Sequence, residues 1–188
     1  MKSLLTITLL AIFSFAILPS DAQEKMEPTK KKIKETKKEV KAERNALRKL
    51  EGDIVSVKAK SSFYVDFGDI PGAKWKRVGM FDEVIFNKDG KEMKAFYDFD
   101  SELVGTTQKK TFDDVPARGQ KEIKSKYKDY SIGDVIFFDD NEFNETDMLL
   151  YGIQFEDEDN YFVELTKGNS EIVVRVNTRG DVYFFKQL

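Results

Sequence analysis

The stretch that decides the fold is FDEVIFNKDGKEMKAFY, residues 81–97. It holds two short runs, 82–86 and 92–97, that contain the β-branched and aromatic residues typical of strands. The linking residues 87–90 end in an Asp-Gly pair, which readily adopts the positive φ angles of a tight hairpin turn. The stretch therefore predicts an antiparallel β-hairpin.

The same pattern recurs along the chain, where short runs alternate with loops rich in Asp, Glu, Asn and Gly. These further runs lie at 102–106, 149–155, 161–166, 171–176 and 181–185. Because the last four are joined by short connections, they predict an antiparallel meander.

Three segments are predicted to be helical. Residues 29–50 contain no Gly or Pro and are rich in Lys, Glu and Ala, which favours a helix. Residues 55–67 place most of their apolar side chains on one side, although 57–60 would also fit a strand. Residues 114–130 carry Pro116 in the first turn and apolar residues at three- and four-residue spacing after it. Helices combined with an antiparallel sheet predict an α+β fold.

The N-terminus has the organisation of a signal peptide. Lys2 precedes an apolar run over 4–18, and small residues follow up to a predicted cleavage site after Ala22. The run is shorter than the roughly 20 residues that span a bilayer, so a signal anchor is the weaker alternative. The chain has no cysteine and therefore no disulfide and no lipid-modified cysteine. We expect a periplasmic or secreted protein without a membrane span.

The composition also excludes several classes of catalytic site and metal site. Without His or Cys the chain cannot build a Ser-His-Asp triad, a Cys-His nucleophile, or a zinc site of imidazole and thiolate ligands. Carboxylates crowd 139–147 and 157–159, but their spacing lacks the Gly and distal Glu of a calcium loop, and acidic residues are common in turns. We predict no catalytic residue, no metal, no cofactor and no enzymatic activity.

Charge divides the mature chain into a basic arm, residues 23–52, and an acidic body. Residues 23–60 hold 13 Lys and Arg against 7 Asp and Glu, whereas residues 61–188 hold 17 against 26. Ile33, Val40 and Leu47 recur every seven residues, but a seam of this kind is too thin for a coiled coil. The arm is either a solvated spacer or a segment that contacts an anionic envelope surface. Export argues against nucleic acid, and we expect the arm to add little to stability.

The motif residues together resemble an exported protein family of Gram-negative bacteria, the PepSY-like or β-lactamase-inhibitor-protein-like (BLIP-like) domains. These residues are 63–71 (FYVDFGDIP), Trp75, 81–86, 89–90, 95–98, 103–106, Val115, Pro116, Ile123, Tyr127 and Tyr130. The resemblance implies helices packed on one face of a curved antiparallel sheet, a tandem duplication, and no known catalytic residue. It covers residues 53–188, with expected repeats at 53–110 and 111–188. The matching residues are packing and turn residues, so the resemblance indicates the fold and not an activity.

The abundant aromatic residues provide the predicted binding site. We expect some of them to face away from the helices, because side chains alternate between the two faces of a sheet. Trp75, Tyr97 and Tyr151 are the candidate contacts for an exported protein or peptide, with enzyme inhibition as a narrower version of this function. The alternative is a structural envelope protein that docks through its basic arm, and an enzyme using carboxylates ranks third. Exposed aromatics on the sheet would favour the first, and a polar sheet face the second.

Overall fold

The computed structural model describes residues 20–188, and their side chains from residue 31 onward except at positions 41, 45, 49 and 51. Most of the predicted signal peptide, residues 1–22, lies outside the described residues, so its cleavage stays a prediction. No helix in the described part of the chain is long and apolar enough to cross a membrane.

The described part of the chain starts with a long helix and continues with two groups of strands, each preceded by a short helix. The first part consists of α1 Ser20–Glu51, α2 Val57–Phe67, β1 Lys74–Val78, β2 Phe81–Lys88, β3 Lys91–Tyr97 and β4 Leu103–Lys110. The second part consists of a 3₁₀ turn Phe112–Asp114, α3 Ala117–Lys126, β5 Ser131–Asp140, β6 Leu149–Leu150, β7 Ile153–Gln154, β8 Asn160–Lys167, β9 Ser170–Asn177 and β10 Val182–Gln187.

Eight of the strands form one antiparallel sheet in the order β1-β2-β3-β4-β5-β8-β9-β10. We call α2 with β1–β4 the first half, and α3 with β5, β8, β9 and β10 the second half. The predicted α+β fold with an antiparallel sheet is confirmed, and so is the helical arm; of the predicted meander, the runs after residue 160 join the sheet. The predicted division into repeats at 53–110 and 111–188 stays a prediction.

The hairpin in residues 81–97 forms as predicted. Lys88 pairs with Lys91, and Asp89 and Gly90 make the turn with φ angles of 54° and 75°. Positive φ at both central residues gives the turn the twist that adjacent antiparallel strands need. This local signal therefore determines the register of β2 against β3.

Other elements differ from the prediction. Residues 149–155 are a separate two-stranded hairpin, because Tyr151 and Gly152 both have positive φ and reverse the chain. Asp139 and Asp140, expected in a loop, are the last residues of β5. Pro116 lies before α3 rather than in its first turn.

Both short helices pack on the same face of the sheet. Ala59 and Phe63 of α2 bury against β2 and β3, while Ile123 of α3 buries against β5, β8 and β9. The opposite face, which we call the open face, carries its own buried cluster that includes Phe138 and Phe162. The sheet is therefore a layer with apolar packing on both sides.

The last turn of α1 belongs to the body of the protein. Residues from Asn45 onward pack as one unit, and residues before it form another. Arg48 is only 5% exposed; its Nη1 lies 3.5 Å from the Asp82 carboxylate and its Nη2 donates to the Asp98 carbonyl at 2.8 Å. Arg77 pairs with Asp82 from the other side at 2.5 Å. The expectation that the arm adds little to stability stays a prediction, and for its final turn these contacts favour the opposite, since removing one partner of a buried ion pair leaves the other charge buried and unpaired.

Candidate functional site

Trp75 and Tyr97, two of the predicted binding residues, lie on the helix-covered face. Trp75 is half-buried and packs edge-on against Phe63 at 5.5 Å between ring centroids. Tyr97 is fully buried, and its hydroxyl donates to the Asp66 carboxylate at 2.9 Å. Burial, followed by this hydrogen bond, raises the pKa of Tyr97 well above its usual range. The expectation that Tyr97 faces outward is wrong, and a binding role for Trp75 stays a prediction.

Tyr151, the third predicted residue, lies in the turn between β6 and β7. Its ring is half-buried at 6.4 Å from Phe162, and its hydroxyl donates to Glu164 at 2.8 Å. Burial and the bonded carboxylate raise the pKa of Tyr151 above its usual range. Tyr151 is thus part of what covers the open face, and its role in binding is untested.

The cover itself is the connection between β5 and β8, residues 141–159, which we call the cover segment. Phe155 from this segment lies 5.2 Å from Phe138 and 5.0 Å from Phe162. Gly105 on β4 makes room for this packing, because a Cβ there would lie 2.6 Å from the Phe138 ring. The second half therefore has no uncovered aromatic surface at this position.

The edge of the first half carries charged groups on its open face, next to the buried rings of Phe81 and Phe96. Glu83 on β2 lies 3.0 Å from the Lys76 ammonium group and 4.0 Å from that of Lys94. Lys76, Glu83 and Lys94 come from three adjacent strands and form one row of charges across the sheet. A broad aromatic platform on the open face is therefore absent from the described residues.

The most exposed aromatic side chain in the described part of the chain is Phe143. It is 96% exposed and lies at the tip of residues 141–147, which we call the Phe143 loop. Single exposed apolar residues are common on protein surfaces. Whether Phe143 is a binding residue therefore depends on whether its loop is held in one conformation.

Side-chain hydrogen bonds hold the Phe143 loop in one conformation. Asn141 donates from Nδ2 to the Leu103 carbonyl at 2.6 Å. Buried Asn144 donates to the Asp98 carboxylate at 3.1 Å, and its own Oδ1 accepts from the Thr146 amide at 2.9 Å. A ring on a loop of this kind loses little conformational freedom on binding, which makes it an efficient anchor.

The rim of the Phe143 loop is acidic. Glu142, Glu145 and Asp147 are exposed within four residues of the ring, and the cover segment holds no Lys or Arg between residues 141 and 159. The surface therefore combines one large apolar group with negative charge, which favours a partner with an apolar pocket and a cationic rim.

A second acidic cluster lies where the cover segment returns to the sheet. The Asp140 amide donates to Asp159 at 2.8 Å, and the Asp140 side chain shares a hydrogen bond with Asp157. Burial, this bond and the two neighbouring carboxylates raise the pKa of Asp140 to about 7. Among residues 20–188 the structure describes no group of three or more acidic side chains that could hold a metal ion. The pair is thus a proton-sharing contact that ties the cover segment to β5.

Comparison with solved structures agrees with this architecture. A BLIP-like protein from Bacteroides fragilis is 14% identical, with a TM-score of 0.55 over 72% of this chain and 87% of its own. The chain has a BLIP-like fold. A DUF2874 family protein from Bacteroides uniformis reaches a TM-score of 0.59 at 12% identity, over 71% of this chain and 90% of its own. A protein from Bacteroides eggerthii, whose name proposes a periplasmic location, reaches a TM-score of 0.57 at 14% identity, over 72% of this chain and 88% of its own.

No protein-family model matches the sequence, and no curated protein matches it. The predicted BLIP-like resemblance is confirmed for the fold, and identities this low carry no information about ligands.

Sequence reasoning missed Phe143, although the chain holds a signal for it. Asn141 and Asn144 flank the ring, and Asn side chains organise turns by bonding to the backbone two residues on. Two Asn residues around one aromatic residue predict a fixed loop with a displayed ring, a pattern that only the structure made visible.

Proposed function

We propose that the protein is an exported, non-catalytic binding module that captures an exported protein or peptide through the Phe143 loop. The observation that carries this proposal is a phenylalanine with 96% exposure on a loop fixed by buried hydrogen bonds. Interfaces draw most of their energy from a few large side chains that enter a pocket on the partner.

Two further features support export and a non-catalytic role. The first 22 residues have signal-peptide organisation, and one protein of similar fold carries a name that proposes the periplasm. The chain also lacks His and Cys, the residues on which most hydrolytic mechanisms depend. Inhibition of an exported enzyme is the narrower version of this function, in which the ring would occupy the enzyme's apolar pocket.

Charge specifies the partner more closely. The exposed carboxylates of Glu142, Glu145 and Asp147 favour a partner whose pocket is bordered by Lys or Arg. Trp75 and Tyr151 stay predicted secondary contacts, since both retain some exposed surface. Tyr97 has no exposed surface and is not part of the proposal.

Affinity capture with the exported protein as bait tests the proposal. Partners from a periplasmic extract would be identified by quantitative mass spectrometry, and the best-enriched one purified for binding measurements. We expect Phe143→Ala to weaken binding of that partner at least about 30-fold, because a hot-spot residue contributes about 2 kcal/mol or more.

The matched control is Phe184→Ala, which removes another exposed phenylalanine from the edge strand β10. Its affinity should equal that of the unchanged protein, and both variants should melt within a few degrees of it. Glu142→Gln with Glu145→Gln should slow association and reduce its salt dependence. Equal affinities for Phe143→Ala and the unchanged protein, with intact folding, would refute the assignment.

A further inference from the structure

Helix α2 is apolar on two opposite sides. Ala59 and Phe63 are buried against the sheet. Val57 and Val65, two turns apart on the outer side, are 79% and 81% exposed, and Tyr64 beside them is also exposed. A surface helix normally presents polar residues to solvent, so the outer side of α2 has the composition of a buried surface.

Helix α3, which occupies the corresponding place in the second half, shows the ordinary pattern. Its large apolar residue, Ile123, is buried, and its exposed positions include Arg118, Lys121 and Lys124. The two helices pack on the same sheet in the same way. The apolar outer side of α2 is therefore not a requirement of the fold.

The residues that directly precede α2 in the sequence also expose apolar side chains. Leu50 at the end of α1 is 84% exposed and Ile54 in the connection is 74% exposed, with Leu47 one turn before Leu50. Arg48, buried between Leu47 and Leu50, anchors this segment to the body. We call Leu47, Leu50, Ile54, Val57, Tyr64 and Val65 the α2 patch. An exposed apolar patch of roughly several hundred Å² generally marks an interaction site.

The charges near the α2 patch differ from those around Phe143. Lys58 and Lys60 are exposed beside Val57, and the single acidic residue within α2, Asp66, accepts the Tyr97 hydroxyl. Glu51 and Asp53 lie in the connection, but upstream in α1 residues 30–44 hold eight Lys or Arg against three Glu. The apolar patch is thus continuous in sequence with a strongly basic helix.

We propose that the α2 patch docks on an anionic phospholipid bilayer, with its apolar side chains in the headgroup region and the exposed Lys58 and Lys60 near the lipid phosphates. Apolar side chains combined with Lys are the composition of helices that lie in a membrane interface. A second copy of the chain is the less favourable occupant, because it would bring the exposed Lys58 and Lys60 of two copies together. This docking surface is independent of the Phe143 loop.

Vesicle co-sedimentation of the exported protein tests the proposal. The protein would be mixed with vesicles of phosphatidylcholine alone and with vesicles that also contain phosphatidylglycerol. We expect at least a roughly tenfold higher partition onto the phosphatidylglycerol vesicles, reduced by added salt. Val57→Gln with Val65→Gln should lower this partition roughly tenfold, because burial of apolar groups is lost while the charges remain.

Phe143→Ala is the matched control, since it removes an equally exposed apolar side chain from an acidic surface. It should leave vesicle binding unchanged, and the Val57 and Val65 variant should leave partner capture unchanged, so the two proposals fail separately. Equal partition of the double variant and the unchanged protein, or no preference for anionic vesicles, would overturn docking on lipid. A dimer by light scattering that the double variant converts to a monomer would overturn it in favour of a second copy.

Discussion

The two halves of the sheet have the same order of helix and strands but treat the open face differently. At the edge of the first half, that face carries a buried carboxylate, Glu83, paired with the partly exposed lysines Lys76 and Lys94. In the second half, the cover segment buries Phe138 and Phe162 beneath Phe155. One face of the same sheet therefore carries ion pairs at its outer edge and a hydrophobic cluster further in, to which Phe81 and Phe96 of the first half also contribute.

The difference shows that the cover segment, rather than the sheet, decides where aromatic residues become available. By closing the open face it removes the surface on which a platform could form. In the same connection it displays Phe143 on a fixed loop. The proposed binding site therefore lies in the same connection that covers the hydrophobic cluster on the open face.

The largest expected effect is the difference in stability loss between a fully buried and a half-buried position on the open face. Phe162→Ala should lower the free energy of unfolding by about 3–5 kcal/mol, because it leaves a cavity in a core closed on both sides. Ile85→Ala, at a half-buried open-face position of β2, should cost only about 1–2 kcal/mol. Urea denaturation of both variants measures this. Equal losses would mean that the cover segment does not seal the second half.

An intermediate effect is expected from two arginine pairs, one in each half. Arg48→Ala should cost about 2–3 kcal/mol, because Asp82 is completely buried and loses one of its two arginine partners. Arg118→Ala breaks an exposed pair with Asp181 and should cost less than about 1 kcal/mol. Denaturation curves decide between them, and a chain beginning at Asn45 should be more stable than one beginning at Asp53. Similar stability of those two chains would contradict the anchoring role of Arg48.

The smallest expected effect is a pH dependence of the cover segment. The folded pKa of Asp140, about 7, lies above its ordinary value of 3.8, so folding favours the protonated group. Its contribution to stability is full below about pH 4 and is lost as the pH rises through 7. Asp140→Asn should therefore flatten the fall in melting temperature between about pH 4 and pH 8.

Asp134→Asn provides the comparison for that experiment, since it changes an exposed carboxylate on the same strand. It should retain the pH dependence of the unchanged protein. A melting temperature of Asp140→Asn that still falls with pH as steeply as the control would show that another group is responsible.

Local features of the sequence were sufficient for most of the architecture. The Asp-Gly pair at 89–90 determines its hairpin without help from the rest of the chain, and the absence of Gly and Pro from 29–50 is enough for a helix. The short runs after residue 160 each became a strand. These signals act over a few residues, so no distant contact has to be known to interpret them.

The faces of the aromatic residues could not be predicted in the same way. Ala95, Phe96 and Tyr97 are all buried, so alternation of apolar and polar residues does not say which of them faces the helices. A register irregularity between Phe96 and Tyr97 complicates the count further. The face of Tyr97 follows only from its pairing with β2 and from the position of α2.

By itself, the sequence determined the fold class, the helical arm, the strands with clear turn signals, and the charge contrast between arm and body. Tertiary structure decided which apolar groups reach solvent: Phe143 and the α2 patch do, whereas Tyr97 does not. The physical reason is the range of the interactions. Turns and helices arise from neighbours in sequence, while exposure depends on what packs above a side chain, and here the cover segment and α2 come from far along the chain.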